Sequence, residues 1–413
     1  CYSGHRPRKS AITGGLIHPV ALAKKELYTV PMRILLVVSS LRPVTGWGTY
    51  GLNTVIGLRK LGHTVRILVH EGSGDAEERV VMPETHHMLG SPIVWFKTAW
   101  TIRRAIKEFR PDVVHHLVEP YALAMPFVRL MTRPMPPWLL SLNGTYTVLP
   151  LYVRHTRWLY CKTYAQATRI LTPSDYTTKR TLTGITEQCG NDCALDAERR
   201  MRRFRFGLED PHRTDHKPDP ACKHILYVGG IKPRKGVTEI IAACAELKRR
   251  CPALPFHLHL VGTYPKSAYA EETRRQVDDL GLTPAATFHG HIGWDVLEEL
   301  YAKTDLCLVL GISDGHHFEG YGYVLLEASI RGIPTMGPTN SGGGEAVEDG
   351  KAGYVVDPHD TATVAERMRW ILEEGRIHPK DCRQWGLAHS VEQQVGRFLQ
   401  VYEECVPGKS RKT

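Results

Sequence analysis

No apolar run in this 413-residue chain approaches the ~20 residues that cross a bilayer as a helix. The longest, such as Ile34 to Val38 and Pro137 to Leu140, are strand-sized. The ten cysteines are scattered. There is no Cys-x-x-Cys and no Cys/His pair at zinc-site spacing, and only Cys189 and Cys193 stand close together. No signal-type apolar core precedes the first strand-like segment. These absences lead us to expect reduced thiols in a cytoplasmic protein. Glycine (37) and proline (27) sit at ordinary levels and hydrophobic residues make up 42%, which excludes a collagen, a coiled coil and a disordered tail.

The net charge is +10, and it is unevenly placed. Residues 1–31 carry +4, residues 32–219 carry +9 and residues 220–413 carry −3. A basic first half raises nucleic acid and anionic membrane as partners. The densest basic run, Arg199 to Arg205, comes with no aromatic platform or nucleic-acid module, so a solvated, mobile linker face is expected there and no nucleic acid.

A chain of this length suits two domains. Residues 1–31 read as a basic extension without periodicity. From Met32 onward, short apolar runs alternate with helical segments. Arg33 to Ser39 is a strand buried on both faces, Leu52 to Leu61 a helix, Thr64 to Val69 a strand, and Ile93 to Phe109 a helix. Such alternation predicts parallel sheets with helices on both faces, an α/β class. The rhythm breaks over residues 184–222. We expect a first Rossmann-like domain over 32–205, a linker over 206–222, a second Rossmann-like domain over 223–388, and a final segment, 389–413, whose helix crosses back to the first domain. Two doubly wound units leave a cleft between them, where ligands gather.

Four glycine-bearing loops carry the chemistry. Phe318 to Ala328 follows a strand and opens a helix: Gly320 and Gly322 let a phosphate approach backbone N–H groups of the helix start, with Glu319 before them and Glu327 a turn further in. A carboxylate there suits sugar hydroxyls rather than the anion itself. A macrodipole contact for Glu319 and a solvated Glu327 are the plain alternative. The second loop, Tyr227 to Gly236, offers Gly230 for close approach and Lys232, Arg234 and Lys235 as cations for a diphosphate. Ser341 to Glu345 and Thr45 to Gly48 (with Gly46) are weaker loops of the same kind.

In this order the segments resemble the retaining glycosyltransferases of family four, which have the GT-B fold. The resemblance runs from about Met32 to Tyr402. It rests on Glu319-x7-Glu327, Lys235-Gly236, Gly342 to Val347, Gly353 to Pro358, Pro111 to His115 and Pro173-Ser174. It implies that Lys235 holds the donor diphosphate, that Gly320, Tyr321, Gly322 and Tyr323 offer it backbone N–H groups, that Glu327 takes the ribose and that Glu319 holds the transferred sugar. The implied partners are a UDP- or GDP-type nucleotide-sugar and a glycan or lipid-linked acceptor, in cell-envelope polysaccharide synthesis. No Asp-x-Asp occurs, so neither a metal nor any other cofactor is implied. The chain departs from the family at three points. Gly230 stands where Arg is common, Asn143-Gly144-Thr145 replaces His-Gly-Thr, and the Asn-Gly-Val-Asp before the linker is missing. Asn143 can donate a hydrogen bond at the reaction centre but cannot act as a base.

Two surfaces stay open at this level. The helix 93–109 sets Ile93, Phe96, Trp100 and Ile106 beside Lys97, Arg103, Arg104 and Lys107, which suits either peripheral contact with an anionic membrane or a sheet-covering helix with a solvated basic face. The pairs His86-His87, His115-His116 and His316-His317 invite a metal, but His115 and His116, neighbours on a strand, face opposite ways and cannot share one ion. His316-His317, just before Glu319, is a further candidate ligand contact. The competing functions are a sugar-nucleotide epimerase of the same fold and a non-catalytic nucleotide-sugar binder.

Overall fold

The computed structural model describes residues 30–43, 45–72, 78–211 and 217–406. The basic extension lies outside the described residues except for its last two, as do residues 212–216 of the linker and the last seven residues. Two all-parallel sheets organise the chain. The first is built from β1 (Arg33–Val37), β2 (Thr64–Val69), β3 (Glu78–Val80), β4 (Val113–His116), β5 (Trp138–Ser141), β6 (Arg169–Thr172) and β7 (Met201–Arg203), in the order β3-β2-β1-β4-β5-β6-β7. Its helices are α1 (Gly46–Lys60), α2 (Pro92–Phe109), α3 (Met125–Met131), α4 (Leu149–Tyr152), α5 (Arg154–Gln166), α6 (Asp175–Cys189) and α7 (Asn191–Arg200).

Local chemistry explains where these elements begin and end. The central strand β1 buries Ile34 to Val37, as a strand covered on both faces must. The helix α1 starts six residues earlier than its apolar pattern suggests, because Thr45 Oγ1 accepts the Gly48 N–H and caps it. In α2, Pro92 occupies the first turn, and the buried stripe Trp95, Thr98, Ala99, Ile102, Ala105, Ile106 and Phe109 follows the helical period.

The second sheet contains β8 (Lys223–Val228), β9 (Phe256–Val261), β10 (Ala286–Gly290), β11 (Leu306–Leu308), β12 (Thr335–Pro338) and β13 (Gly353–Val356), ordered β10-β9-β8-β11-β12-β13. It is flanked by α8 (Val237–Arg250), α9 (Ala268–Asp279), α10 (Trp294–Lys303), α11 (Tyr323–Ser329), α12 (Thr361–Leu372) and α13 (Pro379–Leu387). The last helix, α14 (Val391–Cys405), packs on the first domain. Gly57 of α1 makes room for Val391 and Val395, whose methyls would stand 2.7 Å from a Cβ there. His115 Nδ1 lies 2.6 Å from the Tyr402 hydroxyl, and Phe398 packs on Phe204 with ring centroids 5.2 Å apart. No helix among the described residues is long and apolar enough to cross a membrane.

Two expectations are corrected. Cys161 and Cys189 form a disulfide, so the thiols are not all reduced. The two residues are 28 apart in sequence, but α5 and α6 pack together and bring their Cα atoms to 5.7 Å. The arginine run is also not a solvated linker face. It runs from the end of α7 through the edge strand β7, and its middle is held on both sides: Arg200 donates to the Tyr164 carbonyl at 2.8 Å, Arg202 shares Glu404 with Arg169 at 3.1 Å each, and Arg203 pairs with Asp175 and Glu345.

Candidate active site between the two domains

After β8 the chain makes a short 3-10 turn, Pro233–Lys235, and enters α8 through Gly236. Gly236 has φ +65°, and a Cβ there would lie 1.8 Å from the Leu310 carbonyl oxygen, so only glycine allows this turn. The turn presents Arg234 and Lys235 to Glu319, in the loop between β11 and α11. Arg234 reaches Glu319 Oε2 at 3.1 Å, and Lys235 Nζ bonds the same oxygen. Burial alone would push the Glu319 carboxyl up, but the Lys235 and Arg234 charges outweigh it and hold the group below the usual carboxylate range. Two cations on one carboxylate leave one positive charge in excess at a half-buried spot.

The first domain meets this cluster backbone to backbone. Gly144 and Glu319 form an antiparallel bridge, and Thr145 Oγ1 lies 3.3 Å from both the Phe318 carbonyl and the Phe318 N–H. Gly320 is so close that a Cβ would fall 1.9 Å from the Asn143 carbonyl oxygen. Its own carbonyl accepts from Ser174 Oγ at 2.7 Å and Thr177 Oγ1 at 3.1 Å. Nearby, Glu345 accepts the Asp175 and Tyr176 N–H groups, each at 2.9 Å, so a carboxylate of the second domain sits at the N-terminus of α6 in the first.

Asn143 departs from its expected use. Its Nδ2 donates to the Leu117 carbonyl at 2.7 Å and to Glu119 Oε2 at 3.3 Å, so both amide hydrogens are engaged. Oδ1 is buried without a protein partner, so Asn143 keeps no amide hydrogen to donate to a ligand. The residue that sets this orientation, Glu119, is absent from the sequence reading. It is fully buried; Oε1 accepts the Asn143 N–H at 2.5 Å and the Thr147 hydroxyl at 3.0 Å. Burial pushes its carboxyl up, and the hydrogen bonds from Asn143 and Thr147 only partly counter that. The available signal was a carboxylate just past the end of a buried parallel strand, where ligand sites gather.

The remaining candidates separate into those in contact with this cluster and those beside it. Gly46 sits in the first turn of α1, next to Trp47, whose ring packs 5.7 Å from that of Tyr146. Burial raises the Tyr146 phenol, the Glu119 charge adds to this, and the Arg234 charge opposes it, so Tyr146 lies within the field of the second domain. Gly230 accepts from the Tyr227 hydroxyl at 2.9 Å, and exposed Lys232 folds its stem against it. Tyr321 and Tyr323 turn their side chains into the seam: Tyr321 lies 3.1 Å from His389 Nε2, and Tyr323 donates to the Gly207 carbonyl at 3.1 Å and accepts from Asn53 at 3.2 Å. Gly322, with φ +87°, precedes the first turn of α11. Glu327, on that helix, is buried and accepts from the Tyr301 hydroxyl at 3.2 Å. Burial, countered in part by Arg331 and Tyr301, lifts it to about 7. His316 stacks on Tyr152 at 3.6 Å, and this packing occupies its ring.

Two doubly wound domains, each built on an all-parallel sheet and facing one another across this cluster, make the GT-B fold. Residues 44–188 match the family described as Glycosyltransferase Family 4, and residues 209–388 the family described as Glycosyl transferases group 1. The chain belongs to these glycosyltransferases. A GDP-mannose-dependent alpha-mannosyltransferase of Corynebacterium glutamicum is 26% identical over 379 residues, covering 85% of this chain and 83% of that protein. A GDP-mannose-dependent alpha-(1-6)-phosphatidylinositol monomannoside mannosyltransferase of Mycolicibacterium smegmatis is 35% identical over 185 residues, and the match spans under half (44%) of each protein. Among solved structures, a glycosyltransferase of Rickettsia africae superposes with a TM-score of 0.70 at 17% identity, covering 92% of this chain and 99% of that one. HepE of Anabaena, solved with UDP-glucose, gives 0.64 at 16% identity and covers 89% and 99%. At these identities the structures speak for the fold.

Proposed function

We propose that the protein is a retaining hexosyltransferase that moves a sugar, mannose from GDP-mannose in the first instance, onto a glycan or lipid-linked acceptor. The carrying observation is the Arg234–Lys235–Glu319 cluster pressed against the Asn143 loop. A donor diphosphate brings the negative charge that the two cations leave uncompensated. Fixed cations that meet charge developing on the departing diphosphate are the main source of rate. The acceptor oxygen forms the new bond to C1 as the C1–O bond to phosphate breaks, and the acceptor proton passes to a diphosphate oxygen on the same face. Glu319, between the cations and the Asn143 loop, accepts from hydroxyls of the transferred sugar. Glu327 takes the ribose. Two side-chain cations supply what a divalent ion would otherwise provide, so transfer is expected to continue in EDTA. The names of the mannosyltransferase relatives support GDP-mannose as the donor.

The first domain supports an acceptor held at an anionic membrane. The sheet-facing side of α2 is fully used, yet its other side exposes Ile93 (67%), Phe96 (55%) and Trp100 (59%), and Leu130 of the neighbouring α3 is 79% exposed. Arg103, Arg104 and Lys107 with Trp100 and Glu108 line a depression of about 320 Å³ beside them, and Glu108 pairs with Arg104 at 2.7 Å, which leaves a net positive patch. Apolar side chains ringed by cations suit the headgroup boundary. Flotation on acidic vesicles at low salt tests this, and absence of binding removes the membrane from the reading. For the reaction, sugar nucleotides are incubated with and without lipid-linked and glycan acceptors and nucleotide release is measured. Acceptor-dependent release is expected. Epimer formation, or binding without turnover, would replace the reading with one of the two competing functions.

A further inference from the structure

At the C-terminal end of β2, His70 Nδ1 lies 2.9 Å from the Met82 carbonyl oxygen. That contact fixes Nδ1 as the N–H donor and leaves Nε2 with a lone pair. Nε2 is 4.0 Å from Glu84 Oε1, and the other Glu84 oxygen is 3.2 Å from His86 Nδ1. On a strand His86 and His87 would face apart, but they lie in a 3-10 turn, Thr85–Leu89, which brings their rings to 4.1 Å. One ligand atom each from Glu84, His86 and His87 falls within 4.8 Å of the others. The backbone beneath them is tied down on both sides: Trp95 Nε1–H donates to the Met88 carbonyl at 2.6 Å and the Tyr121 hydroxyl to the Pro83 carbonyl at 2.7 Å.

We propose that Glu84, His86 and His87, with His70 beside them, bind a divalent cation of the zinc class, at a site separate from the Arg234–Lys235–Glu319 centre. Two imidazoles and one carboxylate are a donor set that zinc accepts, with water in the fourth position, and that calcium or magnesium, which prefer oxygen, does not. Ligand bonds of about 2.0–2.1 Å in a tetrahedron set neighbouring ligand atoms about 3.3 Å apart. The Glu84–His86 pair already stands at that separation.

Equilibrium dialysis of the full chain against Zn²⁺ alone tests this. Wild type is expected to hold one equivalent more than the His86→Ala/His87→Ala protein, and Co²⁺ in its place to give tetrahedral absorption bands that the double variant lacks. Glu84→Gln keeps the shape of the side chain and should weaken binding by at least ~10-fold, as loss of ligand-shell partners commonly does. The three changed side chains are exposed, so the variants should melt with wild type in EDTA. Equal metal content in wild type and variants, or no uptake by wild type at micromolar free zinc, overturns the proposal.

Discussion

A methyl group added at Gly320 probes the seam between the domains more directly than any charge removal. The new Cβ would lie 1.9 Å from the Asn143 carbonyl oxygen and 2.5 Å from its carbon. An ordinary C···O contact is about 3.3 Å or more, so the two loops must separate by more than ~1 Å. Neither can yield locally. Asn143 is held through its N–H and its amide by Glu119 and Leu117, and the Gly320 carbonyl is held by Ser174 and Thr177. The displacement therefore passes to Glu319, one residue away, and to its two cations. Misplacement by about 1 Å at a reacting centre can cost ~100-fold in rate. Gly320→Ala should lower kcat by that order while each domain keeps its fold by circular dichroism. Gly396→Ala is the control, because nothing lies within 4 Å of a Cβ there. Wild-type kcat in a folded Gly320→Ala protein would refute the placement of the active site at this contact.

Lys235→Ala should reduce turnover by ~100-fold or more, on the scale of removing one preorganised donor to developing charge; steady-state kinetics with the preferred donor checks it. Glu119→Ala strips three hydrogen bonds from the Asn143 loop and should cost about 3 kcal/mol of stability in denaturant unfolding, at roughly 1 kcal/mol per bond. Glu327 titrates near 7, so donor affinity should strengthen as pH rises through that value and the ionised carboxylate becomes the better acceptor. Glu327→Gln should flatten the profile in calorimetric titration. His116 is buried, and burial holds it down at about 3, so it takes up its proton in the unfolded chain first. Stability is then lost as pH falls below about 6.5, by roughly 1.4 kcal/mol per pH unit from this group. His116→Leu should lose less stability than wild type between pH 7.5 and 5.5 in urea melts.

The alternation of strands and helices could be read directly because each buried parallel strand must be an unbroken apolar run, as in Ile34 to Val37. Arg234, Lys235 and Glu319 could be singled out for a related reason: they sit in glycine-punctuated loops at strand ends, and the structure brings the three together. Contacts that depend on which segments meet were not legible. Glu119 acquires its role from a loop 24 residues away. The Cys161–Cys189 bond depends on two helices packing together, and the arginine run finds its partners on α6, α14 and the second domain. Trp100 and Phe96 show the converse case. Their periodicity fits a core, but the sheet is covered by the opposite face of α2.

The return of α14 makes the first domain discontinuous. The chain leaves it near Leu208 and re-enters at Ser390, and these two points run side by side as a parallel bridge. During synthesis, all six strands of the second sheet leave the ribosome before Phe398 and Tyr402 can cover Tyr50, His115 and Phe204. The later half of the chain is therefore free to fold first, and the earlier half finishes last. The adjacent exit and entry points also make the intervening segment a natural unit of exchange. A relative's second domain spliced in between Leu208 and Ser390 would have to supply partners for Phe206, which packs 5.5 Å from Tyr321 and from Tyr323 across the seam.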